Sequence, residues 1–303
     1  MRILITGGTG FIGRPLCELL AQGGHALRIL SRNPSARPAG TTGVEMLAVP
    51  RPDDAARWQD AVRDCDAIVN LAGESIAEGR WSESRKQVIR DSRIGTTRAL
   101  VDACAALDRR PQVLVSGSAV GFYGPHGDEE LDETSPAGTD FLASICVDWE
   151  AAARRAEALG MRVVRARIGV VLGPGGGALA KMVTPFKMFV GGPLGSGRQW
   201  MSWIHLDDVC GMIAFALGHP VEGAMNATAP DPRTMRDLSK ALGAALGRPS
   251  WAPVPAPVLR IALGEMSDML LNGQRVLPRV AEQAGYRFRH PRLEEALKAA
   301  VAA

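Results

Sequence analysis

The chain opens Met1-Arg2-Ile3-Leu4-Ile5-Thr6-Gly7-Gly8-Thr9-Gly10-Phe11-Ile12-Gly13, and the reading of this stretch decides the fold. Ile3, Leu4 and Ile5 are apolar at consecutive positions, as a strand buried on both faces requires. Glycines at 7, 10 and 13 follow at once, and a helical pattern over 11–21 begins among them. One glycine permits the tight turn, one lets the backbone approach a pyrophosphate, and one lets helix and strand pack closely. The free N–H groups of the helix start, at the positive end of its dipole, then face the phosphates. Strand, glycine turn and helix in this order predict a dinucleotide-binding unit. Its contacts are Gly7, Thr9, Gly10, Phe11, Ile12 and Gly13.

Outward from this unit, short apolar runs alternate with helical patterns. Strands are expected at 2–6, 26–30, 44–48, 67–71, 112–116 and 162–168, and helices at 11–21, 53–63, 82–107 and 141–159. Ser82 and Asp140 are suitable N-caps for the last two. The alternation predicts an α/β chain with a Rossmann-type, doubly wound parallel sheet covered on both faces. After Leu172 the character changes to glycine-rich loops, a helix over 207–217, a last strand over 223–228 and a mostly helical tail broken at 252–257. The expected organisation is a dinucleotide-binding domain over 1–172, with 204–228 packing back on it. A smaller, mostly helical substrate lobe then comprises 173–203 and 229–303.

The 303 residues carry a net charge of only +3, with 46% hydrophobic and 22% charged residues. That composition is globular, and without a run of cations nothing points to nucleic acid or an anionic membrane. No stretch approaches the ~18 apolar residues of a membrane span. The N-terminus runs straight into the glycines without a signal-peptide pattern. Five cysteines, never in a CxxC, read as reduced thiols of a cytoplasmic protein with a small-molecule substrate. The five histidines are scattered, with no zinc spacing, and the acidic run 128–133 has no metal-loop spacing, so no metal is expected.

The end of the second strand selects the dinucleotide. NAD calls for a carboxylate there to take the ribose diol, NADP for a cation to take the 2′-phosphate. The residues are Ser31 and Arg32, roughly 20 positions past Gly13 as the pattern requires. A planar guanidinium suits a phosphate. NADP(H) is the expected cofactor.

Several stretches resemble the extended short-chain dehydrogenase/reductase superfamily, the NAD(P)-dependent epimerase/dehydratase group, and within it an atypical, SDR39U1-like subfamily. They are 5–13, Val69-Asn70-Leu71-Ala72-Gly73-Glu74, Arg80-Trp81, Ser92-Arg93, Ser116-Gly117-Ser118-Ala119, 167–174, 191–199 and Trp203-Ile204-His205-Leu206-Asp207-Asp208. In the tail, Leu263-Gly264-Glu265, 273–278 and 285–297 are similar to that subfamily's C-terminal module. The resemblance implies an oxidoreductase or epimerase. It implies that Leu71, Ala72 and Gly73 line the cofactor's ribose and phosphate, and that Ser92 or Arg93 faces it from the next helix. Ser116 joins these contacts, and Gly169-Val170 touches the nicotinamide carboxamide.

The superfamily's chemistry uses a Tyr acid/base and a Lys four residues later, whose ammonium lowers the phenol pKa. This chain has two tyrosines and five lysines, few enough to check each one. Tyr123 is followed at that spacing by Gly127, and Tyr286 by His290. Residues four before Lys86, Lys181, Lys187, Lys240 and Lys298 are Ser82, Gly177, Val183, Arg236 and Glu294. By resemblance, with Glu150 as the anchor, Leu142 stands at the Tyr site and Cys146 at the Lys site. Three readings remain. Another residue supplies the proton: Tyr123, Glu74 or Lys86, with Ser118 hydrogen-bonding a substrate oxygen. Alternatively, Cys146 is an active thiol, though a mid-helix cysteine among apolar neighbours usually packs inertly. Otherwise the protein binds NADP(H) without rapid turnover, as a sensor or regulator.

On the substrate side, Arg198 suits a phosphate or carboxylate, and Trp203 or His205 a planar or sugar ring. Arg80 is a second substrate contact. Asp207 and Asp208 read as acids placed to start a helix.

Overall fold

The structure, a computed structural model, describes residues 1–302 apart from 36 and 39–42. Seven strands form the central sheet: β1 (Arg2–Thr6), β2 (Ala26–Ser31), β3 (Glu45–Ala48), β4 (Ala67–Asn70), β5 (Val113–Ala119), β7 (Arg162–Ile168) and β11 (Gly223–Ala227). A two-residue strand, β6 (Glu130–Leu131), lies outside it, as do β8 (Val170–Leu172), β9 (Trp200–Met201), β10 (Trp203–His205), β12 (Arg233–Thr234) and β13 (Arg275–Val276). The sheet order is β11-β7-β5-β4-β1-β2-β3, and every pairing is parallel. The chain winds outward from β1 through β2 to β3, then returns to β4 on the other side of β1. The order reverses between β1 and β4, and a crevice opens beyond the carboxyl ends of these strands.

Burial on alternate sides makes the two layers. Ile3 and Ile5 of β1 point with Val69, Val113 and Val115 into a core closed by α1 (Gly13–Gln22), through Leu16 and Leu20. Leu4, Ile68 and Leu114 point the other way, onto Trp58 and Val62 of α2 (Ala55–Val62) and Leu100 of α3 (Glu83–Ala105). Behind α3 lies α4 (Phe141–Arg154), and beside α1 lies α6 (Leu206–Gly218), whose Val209 and Ile213 join the first layer. Between them in sequence comes α5 (Gly177–Lys187). The expected doubly wound parallel sheet is what forms.

The tail supplies α7 (Met235–Leu246), α8 (Ala256–Leu263), α9 (Asp268–Leu271), α10 (Arg279–Gln283) and α11 (Leu293–Ala302). A third apolar cluster joins Leu179 and Phe186 of α5, Leu238 and Leu242 of α7, and Leu293 and Leu297 of α11 around Trp203. Ser82 caps α3 by accepting from the Arg85 amide, and Asp140 caps α4 through the Ala143 amide. The helix expected over 141–159 stops at Arg154. A separate turn over Glu157–Leu159 then ends at Gly160 in left-handed conformation. The helix expected from 11 starts at 13, because the Gly10 amide closes a turn onto the Gly7 carbonyl. The short strands β8 and β10 were not foreseen, since three residues carry no readable alternation. Among the described residues, no helix is long and apolar enough to cross a membrane.

Candidate functional site

The glycine turn sits where the strand order reverses. Gly7 has φ +71°, and a Cβ there would collide with the Leu71 carbonyl at the end of β4. A Cβ on Gly13 would overlap the Gly7 carbonyl oxygen. Both must be glycine for β1, the turn and α1 to close together. No side chain caps the start of α1, and the amides of Phe11, Ile12 and Gly13 find no acceptor among the described residues. Three clustered donors at a helix N-terminus fit a pyrophosphate in charge and shape. Thr9, Gly10, Phe11 and Arg14 also line a cavity of about 450 Å³, faced by Pro174 and Gly176.

Polar groups at the strand ends hold the next wall. Thr6 Oγ1 donates to Asn70 Oδ1 (2.6 Å) and accepts from the Ala72 amide (3.1 Å). Asn70 Nδ2 donates to Thr97 Oγ1 (2.8 Å), which also receives Trp149 Nε1 (3.0 Å). Thr6, Asn70 and Thr97 are buried, so this chain fixes the loop from below. Farther along, Ser92 Oγ accepts from the Glu74 amide (3.0 Å), while Arg93 Nη2 donates to the Glu74 carbonyl (2.9 Å) and Nη1 to the Ile89 carbonyl (3.0 Å). Leu71, Ala72 and Gly73 are thus pinned on three sides, with Arg93 as one of the pins.

At the end of β2, Ser31 is buried and its hydroxyl donates to the Asn33 carbonyl (2.9 Å). Arg32 stands 82% exposed at the rim and pairs with Glu74 across the crevice mouth. Arg85 approaches the other Glu74 oxygen at 3.7 Å. Glu74 therefore serves as a counter-ion to two guanidiniums, which is against a role as proton acceptor.

Beyond β5 the polar groups are arranged differently. Ser118 Oγ donates to Glu150 Oε1 (2.8 Å), and Arg167 grips Glu150 with Nε on Oε1 (2.8 Å) and Nη2 on Oε2 (3.0 Å). Arg167 Nη1 also donates to the Tyr123 oxygen (2.9 Å), and Tyr123 donates to Asn226 Oδ1 (2.7 Å) on β11. All five residues are buried. Burial pushes the Tyr123 phenol up to about 12, against the lowering effect of Arg167. A fully enclosed phenol with both partners satisfied is badly placed to exchange protons with a substrate, which is against the expected acid/base role of Tyr123. Lys86 lies outside this network, paired with Glu83 (3.1 Å) and Glu265 (2.6 Å). Cys146 is buried on α4, and burial lifts its thiol to about 12, with Glu150 adding to the rise. An enclosed, neutral thiol of this kind is poorly placed to act as a nucleophile, in keeping with the reading of Cys146 as a packed residue.

The substrate-side expectations divide. Trp203 is fully buried, with Nε1 donating to the Asp231 carbonyl (2.6 Å). His205 is buried and caps α6 through Nδ1, which accepts from the Asp207 amide (3.1 Å). Neither presents a face to a ligand, because β10 runs through the interior between β8 and α6. Arg80 donates to the carbonyls of Ile261 (2.5 Å) and Ala262 (3.2 Å), tying the loop after β4 to α8. Arg198 is exposed, and its guanidinium has no partner among the described residues. Ser116 is buried in the middle of β5, three residues short of its end, and Val170 is half-buried on β8.

Sequence reasoning missed Arg167, the partner of Glu150: β7 reads Arg-Val-Val-Arg-Ala-Arg-Ile, and nothing in that pattern marks which of its three cations is buried. It also missed that tail docking gathers residues far apart in sequence. His205, Asp207 and His290 form one cluster, with His290 Nε2 3.3 Å from Asp207 Oδ2. Beside it, buried Asp208 accepts the amides of Arg289 (2.7 Å) and His290 (2.9 Å). The His205 nitrogen in this cluster already caps α6, and a helix N-terminus disfavours a cation. The cluster is a docking joint.

The sequence profile of the NAD dependent epimerase/dehydratase family matches residues 3–228, and that of a domain of unknown function (DUF1731) matches 254–300. The chloroplastic homologue of epimerase family protein SDR39U1 from Arabidopsis thaliana is 43% identical over 302 residues, 99% of this chain and 86% of that protein. Epimerase family protein YfhF of Bacillus subtilis is 41% identical, over 100% of this chain and 98% of its own. The crystal structure of human SDR39U1 (isoform 2) with NADPH matches with a TM-score of 0.88 at 37% identity, over 100% of this chain and 99% of that one. The likeness runs from the glycine turn to the docked tail, and the chain belongs to the NAD dependent epimerase/dehydratase family.

Proposed function

We propose that this chain binds NADP(H) in the crevice beyond β1, β2, β4 and β5 and acts on a small polar metabolite by hydride transfer. The observation that carries this reading is the glycine cradle with three unbonded amides, joined to an arginine rather than a carboxylate at the end of β2. The NADPH of the human relative supports the same choice. In this reading the amides of Phe11, Ile12 and Gly13 hold the pyrophosphate, with Gly7, Thr9 and Gly10 shaping the turn. Arg32 exchanges Glu74 for the 2′-phosphate, and Ser31 sets the strand end from which it reaches. Leu71, Ala72 and Gly73 line the ribose side, held by the positioning residue Arg93, and Ser116 and Val170 border the nicotinamide end. Bound there, NADPH supplies a hydride. Ser118 is the hydroxyl left beside that end; it donates its hydrogen bond to Glu150, so its oxygen is left to accept a hydrogen bond from a substrate hydroxyl. Arg198 takes an anionic substrate group, while Arg80 keeps the loop after β4 closed against α8.

A second reading, an NADP(H)-binding sensor without turnover, is favoured by the way Ser118, Glu150, Arg167 and Tyr123 satisfy one another, leaving no free acid. Titration of wild type and Arg32→Ala with NADPH and NADH tests the cofactor reading. NADPH affinity should fall roughly tenfold or more, the worth of one charge-assisted hydrogen bond, with NADH unchanged. Equal loss for both would sink the phosphate assignment. A screen of carbonyl and sugar-nucleotide substrates separates the two readings. NADPH oxidation with any of them selects the enzyme, and binding without oxidation selects the sensor.

A further inference from the structure

We propose that a cavity of about 290 Å³ between the loop carrying Gly195 and Ser196 and helix α7 is a second ligand site, for a phosphomonoester carried on a flat ring. It shares no residue with the dinucleotide crevice and does not rest on the cofactor reading.

Arg236 and Lys240 both line the cavity, four residues apart and therefore on one face of α7. Among the described residues neither has a carboxylate partner. Arg236 gives only Nη2 to the Ser196 carbonyl, at 3.3 Å. The neighbouring acid, Asp237, is turned away and receives the Thr234 hydroxyl (2.6 Å) at the helix cap. Like charges at this spacing weaken a helix, a cost that a bound anion offsets. Two uncompensated cations, one a guanidinium fork, match a dianionic phosphate better than a carboxylate.

The opposite wall carries Ser250 and Trp251. Among the described residues the buried Ser250 hydroxyl oxygen has no hydrogen-bond partner, an uncommon state that a ligand oxygen would relieve. Trp251 is 65% exposed, yet its indole is already fixed, because Nε1 donates to the Phe189 carbonyl (2.9 Å). A fixed, exposed indole offers a flat apolar surface to a ring. The walls are preformed. The amides of Trp251 and Ala252 both donate to the Gly191 carbonyl (3.0 and 3.1 Å), Val254 donates to Pro193 (3.0 Å) and Gly195 to Val254 (2.9 Å). Such preorganisation lowers the cost of binding, and the volume is at the small end of ligand pockets.

The test is calorimetric titration of the full chain, presaturated with NADPH, using phenyl phosphate, inorganic phosphate and benzoate. Phenyl phosphate should bind best and benzoate at least about tenfold more weakly, as loss of one charge-assisted contact predicts. Lys240→Gln, an exposed change with no protein partner to lose, should weaken phenyl phosphate by roughly tenfold. Trp251→Ala should weaken phenyl phosphate and leave inorganic phosphate unchanged. The proposal is overturned if phenyl phosphate does not bind, if Lys240→Gln binds it as wild type does, or if benzoate binds equally well. Equal phenyl phosphate affinity in Trp251→Ala would overturn the ring assignment. NADPH binding is read in a separate titration, so failure of the cofactor reading and of this one are distinguishable.

Discussion

At the ends of β1 and β2, three backbone amides and a rim arginine point outward. At the ends of β5 and β7, Ser118, Glu150, Arg167, Tyr123 and Asn226 turn inward and bond one another. The first half keeps its donors unpaired, beside glycines that bring the backbone itself to the crevice. The second half has placed the same kinds of groups in the interior, where they join β5, α4, β7 and β11. A buried ion pair of this sort need not add stability over an apolar core, but breaking it leaves a charge without a partner. The contrast teaches that one crevice can keep a cofactor cradle while the polar groups beside it become framework.

Four measurements break or sharpen the contrast. Glu150→Ala, which strands the Arg167 guanidinium, should lower unfolding free energy by about 3–5 kcal/mol in urea. A loss near zero would show that the network is not framework. Gly13→Ala forces a methyl onto the Gly7 carbonyl and should weaken NADPH binding by about 1–3 kcal/mol, seen as loss of nucleotide fluorescence enhancement. Unaltered binding would mean the cradle is not where the pyrophosphate lies. Tyr123→Phe leaves Arg167 and Asn226 each short of one partner, so stability should drop by about 1–2 kcal/mol while any detected turnover persists. Abolished turnover in a folded variant would return Tyr123 to the chemistry.

The smallest effect concerns pH. Burial lowers the His205 pKa, His290 adds to this, and Asp207 and Asp208 oppose it. The unfolded chain then binds a proton, near pH ~6.5, that the folded chain refuses, so stability is present above that pH and is lost as pH falls through it. His205→Asn keeps a side-chain cap for α6 and removes this titration. Its urea midpoint should change less than that of wild type between about pH 7.5 and about pH 5.5. Parallel curves would exclude His205 as the group responsible.

The sheet was legible because β1 and β4 carry consecutive apolar residues and are followed by turns, while β7 keeps Val163, Val164, Ala166 and Ile168 between its three arginines. The expectation of NADP(H), in line with the NADPH held by the human relative, was legible because the end of β2 carries one cation and no acid. Tyr123 was not, since its chemistry depends on Arg167 and Asn226, 44 and 103 residues away. Trp203 and His205 misled for the same reason: an aromatic and an imidazole after a glycine loop look available until β10 is seen to run through the interior.

The Asp208 carboxylate, joined to the amides of Arg289 and His290, closes a loop of more than 80 residues onto the first turn of α6. Closing so long a loop is slow, because its entropy is lost before the contact is gained. Until residues 289 and 290 fold back, α6 carries a carboxylate without its partners. The first turn of α6 should therefore gain its full resistance to proteolysis only once that later segment has docked.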